Sequence, residues 1–258
     1  MAAAGSATAA SRPTPAPIPP ASPVAATAPV ASEAETLEPV YVWDVVVRVT
    51  HWLIVISMLL LIFTGLDISR PFLQTGSGKA GFTHGWVRII HFYAAMVFSL
   101  AAGARVVWMF TGPRRSGWRQ FIPVSRRRRR ELLGTLRFYL AMRSRPPDTI
   151  GHNPMAGLMY VGVFLLFLLM TLTGFALYSV SAYTSYMHGW QFLLPWFHGP
   201  QGARWLHHMT MWLLIIFAVN HVFSAVLTSI AEKNGCLDSI FSGFKFLPKN
   251  RKPDDDKD

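Results

Sequence analysis

Four histidines, His51, His91, His207 and His221, fall inside long apolar stretches of this 258-residue chain. An ionisable side chain in such a stretch is costly to bury and marks a functional group. His207 and His221 are 14 residues apart, about four helical turns. They therefore share one helix face and stand roughly 21 Å apart along the axis. His208 is turned about 100° away from that face. A single histidine of this kind can simply hydrogen-bond a neighbouring helix. Four of them, two at fixed spacing on one helix, point to ligation of metal by imidazole, a ligand that suits zinc, copper and iron alike.

The elements that must position these residues are four spans of about 20 apolar residues, the length that crosses a hydrocarbon core. Helix I is predicted from about Val45 to Leu66, helix II from Trp86 to Phe110, helix III from Met155 to Tyr178 and helix IV from Arg204 to Ile230. Hydrophobic residues make up 52% of the chain and charged residues only 14%, against about 25% in soluble domains. The expected fold class is all-α, an integral membrane four-helix bundle occupying residues 39–230. An Ala/Pro-rich tail is expected over residues 1–38, disordered and without the apolar core of a signal peptide. A basic cytoplasmic tail is expected over residues 231–258.

Basic residues collect on cytoplasmic loops. The loop between helices II and III carries Arg114, Arg115, Arg119, the run Arg126 to Arg130, Arg137, Arg143 and Arg145. The segment after helix IV carries Lys233, Lys245, Lys249, Arg251 and Lys252. Both termini are thus expected on the cytoplasmic side, with helices I and III running outward. The net charge of +11 is read as topology and lipid contact, and no nucleic-acid motif accompanies it.

Orientation alone then pairs the histidines. His51, at the cytoplasmic start of helix I, lies level with His221. His91, at the outer start of helix II, lies level with His207. Zinc asks for three or four ligands at one depth, whereas each depth offers two histidines without a neighbouring carboxylate or thiolate. Two axial imidazoles in an apolar surround fit a six-coordinate, electron-transferring haem. The prediction is two b haems held between the helices by His51 with His221 and by His91 with His207. Cys236 is the single cysteine, which excludes a disulfide, covalent haem attachment and a cysteine-ligated cluster within this chain.

Arginine precedes three of the histidines by three positions, as Arg48, Arg88 and Arg204, on neighbouring parts of one helix face. Each is a candidate partner for a haem propionate, or an interfacial side chain that snorkels to the headgroups. Arg105, 14 positions after His91, is a candidate for the inner level. Gly65, 14 positions after His51, falls at the outer level, where it permits close approach of a macrocycle or plain helix packing. His84, His188 and His198 fall in outer loops and are assigned no metal.

The stretches Val42-Trp43-Asp44, Arg48-Val-Thr-His51-Trp52, Gly85-Trp86-Val-Arg88-Ile-Ile-His91-Phe92, Gly151-His152-Asn153-Pro154, Leu172-Thr173-Gly174-Phe175-Ala176-Leu177-Tyr178 and His207-His208, followed by Trp212 and His221, form a pattern. It resembles the b-type cytochrome subunit of membrane-bound, periplasm-facing nickel–iron hydrogenases. The resemblance spans about Pro39 to Phe244. It implies a di-haem anchor in the bacterial inner membrane, associated with the small and large hydrogenase subunits in a larger oligomeric complex. Such a subunit passes electrons from an iron–sulfur cluster to quinone and does not oxidise hydrogen by itself. The resemblance also implies the same four axial histidines and a quinone site around His152 and Asn153. From the residues alone, that segment reads as a helix start, with Asn153 capping and Pro154 in the first turn. A formate dehydrogenase partner, a stand-alone di-haem cytochrome and a histidine-dependent transporter or proton channel are the competing readings.

Overall fold

A computed structural model describes residues 37–73, 82–113, 116–118, 121–122, 154–182, 185–232 and 235–248, with isolated positions between 126 and 133. The quinone candidates His152 and Asn153 lie outside them, as do most of the arginine-rich loop and residues 1–36.

Strand β1 (Leu37–Tyr41) leads into helix α1 (Val45–Ser69), followed by α2 (Thr83–Thr111) and α3 (Pro154–Ser181). A short helix α4 (Ser185–His188) and two 3-10 turns (Gly189–Leu193 and Pro195–Phe197) precede α5 (Gly199–Glu232). The chain then forms α6 (Cys236–Ser242) and strand β2 (Phe244–Pro248). The four long helices, α1, α2, α3 and α5, each have the length and apolar composition to cross a membrane. They extend past the predicted spans by up to five residues, because capping and interfacial residues continue the helix beyond the apolar run.

α1 packs chiefly on α2, and α3 on α5. Small or hydroxyl side chains dominate the buried faces, among them Ser57, Ala94, Ala101, Ala102, Ala176, Ser179 and Ala203. Such residues let helix backbones approach closely where no water-driven force operates between them. Large apolar side chains face outward, including Leu59, Phe63, Leu100, Phe110, Leu165 and Ile216. A collar of this kind has its natural solvent in lipid. The chain is a multi-pass membrane protein.

Phe98, Ala102, Val163, Phe167 and Leu214 form the buried apolar centre of the bundle. Leu214 lies seven residues from both His207 and His221, so this plug sits about 10 Å along the axis from either histidine. Phe98 and Phe167 meet edge to face there, with centroids 4.9 Å apart.

β1 and β2 pair antiparallel, with Leu37 opposite Pro248 and Tyr41 opposite Phe244. This sheet is a departure from the predicted all-α fold. Leu37 and Glu38, read with the N-terminal segment, and Phe244–Pro248, read with the C-terminal one, belong to it. At Gly243, φ is +89°, and a Cβ would meet the Tyr41 ring at 2.7 Å and the Trp43 carbonyl at 2.9 Å. Glycine is required for that turn. Its carbonyl accepts from the Val42 and Trp43 amides at 2.8 and 3.2 Å, fastening the end of α6 to the chain entering α1.

Candidate functional site

α1 and α5 bring His51 and His221 together. Their ring centroids lie 6.5 Å apart, with the planes tilted by 57°. One metal ion bonded at about 2 Å to a nitrogen of each ring, with the depth of both rings added, needs roughly 6 Å between centroids. Phe217 stacks on His221 at 5.5 Å, and Tyr160 closes on its edge at 6.1 Å. Trp52 meets His51 edge to face at 5.4 Å.

The buried side-chain nitrogens without a hydrogen-bond partner, among the described residues, are Arg48 Nε, His51 Nδ1, Trp52 Nε1 and an Nη of Arg105. All four belong to one end of the bundle. Buried donors are nearly always paired in folded proteins, so this end has an unmet requirement for acceptors. Arg105 is 8% exposed, its guanidinium lies 5.6 Å from the centre of the Phe121 ring, and it is electrostatically coupled to Asp44. Arg48 donates to the Phe241 carbonyl at 2.6 Å. That contact, with the Trp52 and Phe241 rings 4.6 Å apart and Trp43 Nε1 donating to Ser239 Oγ at 3.1 Å, lays α6 across the start of α1.

Asp44 organises the same end. One carboxylate oxygen accepts from the Val47 amide at 2.9 Å, capping α1. The other accepts from Trp108 Nε1 at 3.0 Å and Ser116 Oγ at 2.7 Å. Burial pushes the Asp44 carboxyl up, but hydrogen bonds from Ser116, Trp108 and Val47, with the charge of Arg105, outweigh it and hold the group below the ordinary carboxylate value.

At the opposite end, His91 on α2 and His207 on α5 each rest on a Thr-Gly pair of the neighbouring helix. Thr64 Oγ1 lies 2.7 Å from His91 Nδ1, and Thr173 Oγ1 lies 3.0 Å from His207 Nδ1. A Cβ added at Gly65 would stand 3.3 Å from His91 Cε1, and one at Gly174 would stand 3.4 Å from His207 Cε1. The two glycines hold open space directly against the imidazoles. Sequence spacing singled out Gly65. The repeated Thr-Gly of α1 and α3 is the sequence signal for the other three residues.

The remaining candidates are spread more widely. Arg88 is exposed, and Arg204 is exposed and donates to Gln201 Oε1 at 2.6 Å. His208 is bound to the Arg204 carbonyl at 2.9 Å, and His188 to Gln191 at 3.0 Å. His84 belongs to the first turn of α2 and sits 3.2 Å from Asp67. Asp67 is fully buried and is engaged with the loop, accepting from the Phe72 and Leu73 amides at 3.0 and 2.9 Å. No group of three or more His, Cys, Asp or Glu gathers among the described residues.

Residues 42–243 match the family model described as prokaryotic cytochrome b561. A relative from Rhodobacter capsulatus, "Probable Ni/Fe-hydrogenase B-type cytochrome subunit", is 32% identical over 220 residues, covering 82% of this chain and 83% of its own length. A Bradyrhizobium diazoefficiens protein with the same description is 34% identical, covering 79% and 85%. An Escherichia coli K12 relative, "Probable Ni/Fe-hydrogenase 1 B-type cytochrome subunit", is 34% identical, covering 80% and 90%.

Proposed function

The chain belongs to the prokaryotic cytochrome b561 family, and from that premise we propose that it is the di-haem membrane anchor of a nickel–iron hydrogenase. As a b-type cytochrome it carries haem b. In this reading it links an iron–sulfur centre of the hydrogenase small subunit, on the periplasmic side of the bacterial inner membrane, to the quinone pool. Both termini are cytoplasmic, as the basic loop between α2 and α3 favours.

The observation that carries the reading is the pair His51 and His221 at 6.5 Å, a gap suited to one iron. His51 and His221 would hold the inner haem, and His91 and His207 the outer one. Haem b supplies a one-electron ferric/ferrous couple at each level. Arg48 and Arg105 offer the unpaired donors that carboxylates of an inner macrocycle would satisfy. Arg88 and Arg204 are the corresponding cations of the outer level. Gly65 and Gly174 keep side chains off the outer ring faces. Phe98, Phe167 and Leu214 exclude water between the levels. His152 and Asn153, near the start of α3, would receive the quinone.

The test is a pyridine haemochrome assay on the purified chain beside His51→Ala and His91→Ala. Two b haems in the unsubstituted chain, and one in each variant, is the expected result. Well-folded unsubstituted protein without haem would overturn the reading. Co-purification with hydrogenase subunits, rather than with a formate dehydrogenase or alone, checks the partner.

A further inference from the structure

The two histidine levels are built differently. Thr64 is 4% exposed and Thr173 fully buried. Each hydroxyl stands within 2.7 Å of the carbonyl four residues earlier, Leu60 for Thr64 at 2.6 Å and Leu169 for Thr173 at 2.7 Å. A carbonyl only accepts, and a threonine hydroxyl has one proton. That proton is therefore committed to the backbone, and what Thr64 and Thr173 offer His91 and His207 is a lone pair. Each imidazole must bring an N–H to it, so Nδ1 carries the proton and Nε2 is left for a metal. At the other level, His51 Nδ1 is buried with no partner.

We infer that Thr64 and Thr173 are positioning residues that fix the Nδ1–H tautomer of His91 and His207 and set the outer level at the lower reduction potential. This rests on the paired-histidine reading above. A hydrogen bond donated by Nδ1–H increases electron donation from Nε2 and favours the ferric state. The inner level has no such bond at His51, and its Arg105 is buried and Arg48 half-buried, whereas Arg88 and Arg204 of the outer level are exposed and screened, so positive charge favours the ferrous state more strongly at the inner level. Both differences act in one direction. An electron entering beside His91 and His207 moves inward to the site of higher potential.

Potentiometric titration of the full-length purified chain, followed at the haem b absorbance, tests this on Thr64→Val, Thr173→Val, both serine variants and Thr210→Val. Thr210 is a matched control, a buried threonine of α5 bonded to the Leu206 carbonyl at 2.7 Å. The haem count of the unsubstituted chain first decides the two-haem reading on its own. Given two, each valine variant should move the same, lower wave to more positive potential, serine should restore it, and Thr210→Val should move neither wave. Movement of the higher wave, movement of different waves by the two variants, or unmoved waves at full haem content would overturn the inference. If a valine variant fails to assemble, pulsed EPR of the unsubstituted ferric chain decides. Remote imidazole nitrogens of two classes, one hydrogen-bonded, support the inference, and identical couplings at both haems refute it.

Discussion

Trp108 Nε1 donates to Asp44 Oδ2 at 3.0 Å, tying the last turn of α2 to the residue that caps α1. The same carboxylate receives Ser116 and faces Arg105, so one acidic side chain just outside the apolar span joins three segments beside the His51–His221 pair.

Replacing Asp44 with alanine removes the cap and leaves the Trp108 and Ser116 donors without it. A loss of about 1–2 kcal/mol is expected, the range for a helix N-cap, read as a lower Tm of the detergent-solubilised protein. Asp44→Asn separates charge from geometry. The folded carboxyl lies below its ordinary value of 3.8, so its contribution is fully present above that value. It is lost as pH falls through the folded value. The Tm of the unsubstituted protein should fall on acidification through this range, and the Asp44→Asn variant should lack that part of the fall.

Gly65 and Gly174 make a second case. Alanine at either position puts a methyl 3.3–3.4 Å from an imidazole carbon, a contact that a small ring shift relieves. Valine adds two further carbons against a ring held by threonine. Gly65→Val and Gly174→Val should each reduce haem from two per chain toward one, with the alanine variants keeping both. A haemochrome count on the four proteins checks this.

Arg105 is buried with one guanidinium nitrogen unpaired, and burying a charge without full pairing is costly. In the proposed reading a carboxylate of the inner haem is the partner of that nitrogen. Arg105→Leu should lower occupancy of the inner haem below half, leave the outer haem filled and shift the remaining inner population to more negative potential. Arg105→Lys, which keeps the charge but loses the planar fork, should fall between. Potentiometry with haem quantification reads both effects.

The contact of Trp52 with Phe241 holds α6 across the inner end. An aromatic pair contributes about 0.5–1.5 kcal/mol beyond its buried area, so Phe241→Ala should lower stability by roughly 1 kcal/mol. Limited proteolysis should show faster cleavage within residues 236–248, while the outer haem spectrum stays unchanged.

The four long helices were legible because span length and hydropathy constrain membrane helices more tightly than any local propensity. Gly65 was legible from spacing alone, since a helix converts residue number into height. Thr64 and Thr173 were not, because buried membrane threonines bond to their own helix and carry no mark of a second contact. Nor was Arg105 visible as the guanidinium facing Phe121, a residue in the loop beyond α2. The strands were hidden for another reason. Leu-Glu-Pro-Val-Tyr and Phe-Lys-Phe-Leu-Pro each have five residues and one proline, which removes a backbone donor, and their pairing links the two ends of the described chain. His84 read as a loop residue because its partner Asp67 belongs to the preceding helix, across a loop from it.

Pairing β1 with β2 imposes parity on membrane insertion. The strands flank the four long helices in sequence, and they can meet only if the chain between them crosses the bilayer an even number of times. A chain in which one helix failed to insert would strand Leu37–Tyr41 and Phe244–Pro248 in opposite compartments, with no sheet between them. The small sheet thus serves as a closing clasp that a chain with one helix, or three, left out of the bilayer cannot fasten.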